Sequence, residues 1–198
     1  MNRTLSKQIA IYKHIYGWNV LWSPMRNDLE FVKHVKKYLI DEEYLERCIC
    51  NRMRHQQRIK KIAINNAVEK LKVNWEKIKS CQNFESLYDT IYDTIAKQKD
   101  NKKTWISNCT VYDTAIRIGY SLDNIILPDK YVYVHQKLIK NAENLLGKNH
   151  IEDKCRILRE DFVKLDKCFG DLMAIEIEDF LCLIPLLEKI NIKKQLSL

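Results

Sequence analysis

The most enzyme-like grouping in the chain falls between Trp105 and Gly147, where Asp113, Arg117, Asp129, Tyr133 and His135 cluster within one stretch. Asp113 and Arg117 stand four residues apart, one helical turn. His135 follows a short segment opened by Pro128 and Asp129. A buried aspartate can orient an imidazole and hold its tautomer, so Asp113 or Asp129 with His135 is the pairing that could move a proton. The competing expectation is a satisfied core histidine beside a local salt bridge. The five histidines lie at positions 14, 34, 55, 135 and 150, none spaced i,i+4 from a second ligand as a helical zinc site needs. Glu176, Glu178 and Asp179 form an acidic trio, but metal ligands must converge from several elements. First-turn acids on a solvated helix face are expected there. No phosphate-binding Gly loop and no GxSxG elbow occurs, and four glycines leave little room for either. No metal and no cofactor is expected.

A second pattern is electrostatic. From Arg47 to Lys61 there are six Lys or Arg and no Asp or Glu. On one helix spanning 42–79, Arg47, Arg54, Arg58 and Lys61 fall within a narrow arc opposite Ile49, Met53, Ala63, Ala67, Leu71 and Ile78. Such a row neutralises several phosphates at once, which points to DNA or RNA; the alternative is a solvated face. The formal charge of +8 is uneven along the chain. Residues 1–100 carry 19 basic and 12 acidic side chains, and residues 101–198 carry 15 and 14.

The elements that must position these groups read as helices. Four Gly and three Pro in 198 residues argue against a turn-rich β architecture. Sustained 3.6-residue periodicity predicts an all-α bundle of about seven or eight helices with no sheet. The expected spans are 4–16, stopped by Gly17; 27–39; the long helix 42–79; 84–97; Val111–Leu122; a helix after Pro128 that carries Val134, Leu138, Ala142 and Leu145 inward and ends at Gly147; 152–168; and 171–190, interrupted near Pro185. Trp18, Val20, Leu21 and Trp22 read as an apolar plug, and Asn108 or Thr110 as the cap of the fifth helix, Val111–Leu122. With Pro128 between them, the helices of 105–147 would form a helical hairpin. A single domain over 1–198 is expected, with a sub-boundary near 98–103 (QKDNKK spans 98–103) dividing a basic half, 1–97, from the hairpin half, 104–198.

Seven cysteines, at 48, 50, 81, 109, 155, 168 and 182, contain no CxxC pair. Free thiols in a reducing cytoplasm are expected. No apolar run reaches the length of a membrane span, and no membrane partner is expected.

The set Tyr112-Asp113-x-Ala115-x-Arg117-Ile118-Gly119, Leu127-Pro128, Val132-Tyr133-x-His135 and Glu176-Ile177-Glu178-Asp179-Phe180-Leu181-Cys182 resembles a family of uncharacterised helical bacterial proteins over about the last 90 residues. The same region is loosely similar in order to the carboxyl half of helix-hairpin-helix DNA glycosylases, in which an extended turn holds V-D-T-H. On that pattern Val132-Tyr133-Val134-His135 takes the turn, and Tyr133 stands where those enzymes carry their essential aspartate. Their Gly-rich DNA-binding hairpin also has no counterpart before Val111. The leading expectation is therefore a nucleic-acid-binding helical protein that uses Arg47, Arg54, Arg58 and Lys61. One alternative is a phage, mobile-element or defence-associated interaction factor that binds an acidic protein. The other is a divergent glycosylase-like enzyme with Asp113, His135 and Asp129 as its candidate catalytic groups.

Overall fold

The computed structural model describes residues 3–21, 23–36, 41–50, 59–96, 106–135 and 137–195. Its elements follow in the order α1 (Arg3–Ile15), α2 (Pro24–Lys36), α3 (Asp41–Ile49), α4 (Lys61–Val73), α5 (Trp75–Lys79), α6 (Phe84–Ile91), α7 (Asn108–Ser121), β1 (Tyr131–Tyr133), α8 (Lys137–Leu146), β2 (Arg156–Leu158), α9 (Arg159–Leu165) and α10 (Ala174–Gln195). A π-helical turn (Tyr92–Ala96) continues α6, and three short 3₁₀ turns occupy Lys148–His150, Asp153–Cys155 and Lys167–Asp171. The architecture is mostly α. The expected count of seven or eight helices is too low, since the described residues form ten, and one antiparallel ribbon appears where no sheet was expected.

One difference explains the count, and others reshape the later elements. The helix expected over 42–79 is three helices: α3 and α4 pack on each other, and Asn74 ends α4, its side-chain amide donating to the Lys70 carbonyl at 2.9 Å. An apolar stripe on one straight helix cannot bury against itself. Folding back puts Tyr44, Leu45, Cys48 and Ile49 and, on the other helix, Ala63, Ile64, Ala67, Val68 and Leu71 out of water. The ribbon pairs Tyr131, Val132 and Tyr133 with Leu158, Ile157 and Arg156. Four of the six are β-branched or aromatic, types that suit a pleated surface better than helix, and Val132 and Ile157 are both fully buried. The helix expected after Pro128, with Val134 on its inner face, thus begins only at Lys137, and that over 152–168 is divided into a 3₁₀ turn, β2, α9 and a second 3₁₀ turn.

The chain forms two compact units, Met1–Met25 with Pro128–Leu198, and Arg26–Leu127. The expected sub-boundary at 98–103 lies outside the described residues. The two helices of the expected hairpin belong to different units, α7 to one and α8 to the other.

In the unit that joins the chain ends, α1 packs on α10, burying Leu5, Ile9 and Tyr12 with Phe162, Phe169 and Phe180. Phe169 meets Phe162 and Phe180 edge-on, each at 5.5 Å. Polar bonds fix α1 in place: Ser6 donates to Asp166 at 2.6 Å, Tyr12 to Asp179 at 3.0 Å and Lys13 to Asp171 at 2.9 Å. The interruption expected near Pro185 is absent, and α10 runs through it. Proline leaves the carbonyl four residues earlier without its N–H partner. That carbonyl, of Leu181, accepts instead from the Asn141 side-chain amide of α8 at 2.9 Å.

In the other unit, α7 packs against α3 and α6. Its cap is Ser107, whose hydroxyl accepts from the Thr110 amide at 3.3 Å, rather than Asn108 or Thr110. After Ser121 the chain turns back along α7, and the Ile126 amide donates to the Gly119 carbonyl at 2.9 Å.

Candidate functional site

The basic row begins on α3 and ends on α4, so its members do not share one helical face. A groove of about 950 Å³ runs between the two helices, lined by Glu42, Glu43, Glu46, Arg47 and Cys50 on the α3 side and by Lys61, Asn65, Val68 and Glu69 on α4. On a single straight helix, Arg47 and Lys61 would stand about 21 Å apart at 1.5 Å per residue. Here both line the same groove. Arg54 and Arg58 lie outside the described residues. Arg47 Nη2 stands 3.8 Å from Glu43 Oε1, and Lys61 Nζ bonds Glu46 Oε1 at 2.6 Å. Lys72 bridges Glu42 at 2.5 Å and Glu69 at 3.7 Å. Its hydrogen bond holds the Glu42 carboxyl below the ordinary value. The Glu43–Arg47 pair is readable as an i,i+4 spacing; the pairing of Glu46 with Lys61 depends on the chain folding back.

The enzyme-like grouping is divided. Asp113 and Arg117 lie on α7, whereas Asp129 is exposed ahead of β1 and His135 follows β1 in the other unit. Arg117 is buried, and its Nε donates to Asp28 Oδ2 on α2 at 3.0 Å while Nη1 donates to the Cys48 carbonyl at 3.0 Å. That carbonyl belongs to the last turn of α3, where helix acceptors lack intrahelical partners. Next to it Tyr44 and Ser121 share a hydrogen bond between their hydroxyls, and Lys36 Nζ donates to the Ser121 carbonyl at 2.6 Å. Burial pushes the Cys48 thiol up to about 12 and raises the Tyr44 phenol well above its ordinary value. Both are therefore neutral. All seven cysteines are thiols outside any disulfide, with Cys182 exposed and Cys48 buried.

The acids of α10 are placed otherwise than expected. Glu176 is buried and accepts from the Trp18 amide at 2.6 Å and from its own helix-start amide, Met173, at 2.9 Å. Glu178 Oε1 stands 3.8 Å from His135 Nε2, with both side chains largely buried. Asp179 accepts from the Tyr12 hydroxyl. These carboxylates are not a solvated face; they tie α1, the turn after it and the segment after β1 to α10. Trp18 of the expected plug bonds Glu176 through its backbone amide and is half-buried, while Leu21 is 70% exposed. Tyr133 is buried, and the Arg156 guanidinium lies over its ring at 5.5 Å. Among the described residues, no group of three or more His, Cys, Asp or Glu could hold a metal ion, and no helix is long and apolar enough to cross a membrane.

Burial pushes the Asp179 carboxyl up to about 6, reinforced by the charge of Glu176 and opposed by the Tyr12 hydrogen bond. The native state then holds a proton that the unfolded chain has released, so stability falls as pH rises from about 4 to about 6 and is level above. A rise from 3.8 to about 6 corresponds to about 3 kcal/mol. Asp179→Asn should be more stable than the parent at pH 7 by up to that amount and equal to it at pH 3.5. Urea unfolding at the two pH values measures this, and an unchanged difference between them would count against a buried, proton-holding Asp179.

Compared with family models, with curated proteins and with solved structures, the chain matches none.

Proposed function

We propose that the chain binds nucleic acid, without sequence preference, through the basic stretch that connects α3 to α4. One observation carries this reading: six Lys or Arg and no acid from Arg47 to Lys61, with both ends of the stretch on one groove. Phosphate contacts of this kind supply affinity independent of sequence. Replacing Arg54 and Arg58 together by Glu should abolish binding to a duplex of any sequence while shifting stability by less than about 1 kcal/mol, as for exposed sites. Full retention of binding would exclude the stretch as the contact. Unfolding of the variant would place those arginines in a core instead. Loss of a co-purifying acidic protein, with no nucleic-acid binding by the parent, would favour an interaction factor.

A second reading, an enzyme acting on nucleic acid, draws on a specific observation. Asp179, Tyr12, Glu178 and His135 bring a carboxyl pushed up to about 6 beside a second carboxyl facing an imidazole. Proton transfer is most effective when the group titrates near the working pH. Base release from a damaged duplex that His135→Ala abolishes, with binding intact, supports this reading. Absence of base release by the parent protein removes it.

A further inference from the structure

Around the start of α9 lies a second titratable pair, which neither functional reading uses. Gly147 leaves α8 at a φ of 91°, and the 3₁₀ turn Lys148–His150 follows it. His150 Nδ1 stands 2.9 Å from Oδ2 of Asp161, in the first turn of α9. An ionised carboxylate only accepts, so the ring proton sits on Nδ1 and the free lone pair is left on Nε2. Asp161 is 18% exposed and His150 39% exposed, and Nε2 has no partner among the described residues. A partly exposed pair of this kind adds little stability; what it does provide is an oriented, accessible nitrogen nucleophile. The surrounding charges suit an anionic reagent. Lys164 Nζ stands 3.4 Å from Glu160 and 3.9 Å from Asp161, offsetting both first-turn acids of α9. Lys148, in the same turn as His150, is exposed and has no ion-pair partner among the described residues.

We propose that His150 is a phosphoryl-acceptor site, modified on Nε2 by small donors of the acyl phosphate class. The inference stands on the His150–Asp161 geometry and rests on neither functional reading. The Nε2 lone pair forms the N–P bond while the P–O bond to the acyl group breaks, and the carboxylate departs with that electron pair. The product ring still carries its proton on Nδ1 and is cationic. Asp161 offsets that charge, as a carboxylate does for an imidazolium formed during catalysis. Asp161 is thus a positioning residue, and Lys148 is the candidate cation for the phosphoryl oxygens.

The test is incubation of the full chain with acetyl phosphate. Peptide mass spectrometry locates the phosphohistidine, and phosphorus NMR identifies the ring nitrogen. His150 should react on Nε2 at least about tenfold faster than His14, which is exposed and has no carboxylate partner among the described residues. Asp161→Asn offers an amide that can donate to Nδ1, which lets the ring proton move to Nε2. It should slow His150 by about ten- to a hundredfold, the usual cost of removing a carboxylate that orients a histidine, and leave the His14 rate unchanged. Asp161→Glu should restore part of the rate. Equal rates at His150 and His14 in the parent, phosphate on Nδ1, or an unchanged His150 rate in Asp161→Asn overturns the inference. Should Asp161→Asn fail to fold, the rate ratio and ring position in the parent protein decide by themselves.

Discussion

Arg117→Met should destabilise the unit Arg26–Leu127 by about 3–5 kcal/mol, the cost of removing one partner from a buried ion pair. Arg117 is 3% exposed at its side chain and Asp28 is 16% exposed. The variant therefore leaves a carboxylate with little water to solvate it, and it strips the Cys48 carbonyl of its donor at the end of α3. Three helices lose their common tie at once, because the guanidinium on α7 reaches both α2 and α3. Arg117→Lys keeps the charge but lacks the planar fork needed for two acceptors in different directions, so an intermediate loss is expected. Adding Asp28→Leu to Arg117→Met should recover part of the loss, since no uncompensated charge remains. Chemical unfolding of the three variants measures this. A loss under 1 kcal/mol for Arg117→Met would mean that the pair is not buried as described.

Gly119→Ala should cost about 2–3 kcal/mol, although alanine inside a helix ordinarily gains about 1 kcal/mol over glycine. The sign is decided by space. A Cβ built on Gly119 would meet the Ile126 carbonyl oxygen at 2.2 Å and Leu87 Cδ2 at 2.9 Å. The leucine tip can rotate away, but the carbonyl belongs to backbone that returns along α7 and donates its own amide to Gly119 at 2.9 Å. Overpacking of this order costs 1–3 kcal/mol and occasionally more, and breaking the return bond adds to it. A variant as stable as the parent would show that the segment after Ser121 is free to move off the helix.

These two residues also show what the sequence discloses and what it does not. The existence of α1, α2 and α7 follows from local signals that act within a turn or two, apolar spacing, a stop at Gly17 and a serine or asparagine near the start, although α2 and α7 each begin three residues before the expected 27 and 111. The partner of Arg117 is 89 residues away, and nothing local distinguishes Asp28 from any acid near a helix start. Asp113, at the right spacing on the same helix, was the nearer candidate. Pro185 gives a helix-breaking signal that is locally correct. It is overridden by an amide 44 residues earlier in the chain, Asn141, which supplies the missing hydrogen bond. The ribbon escapes detection because each strand has three residues and its partner lies 25 positions away, too short for a period of two to emerge.

The candidate site was legible in its charges and not in its geometry. Six cations without an acid are plain in the sequence. The bend that sets Glu46 against Lys61 is not, because it is driven by burial of two apolar half-stripes against each other. The α10 acids mislead for a related reason. Glu176, Glu178 and Asp179 read as a solvated first turn until the turn after α1, α1 itself and the segment after β1 deliver Trp18, Tyr12 and His135 to them.

The most direct measurement of the central claim is the salt dependence of duplex binding by the unaltered protein. Six cations from Arg47 to Lys61, at about −0.9 for each phosphate contact, set a limit of about −5.4 on the slope of log K against log salt, the same for unrelated sequences. No binding at 20 mM salt, or a slope near zero, would contradict it.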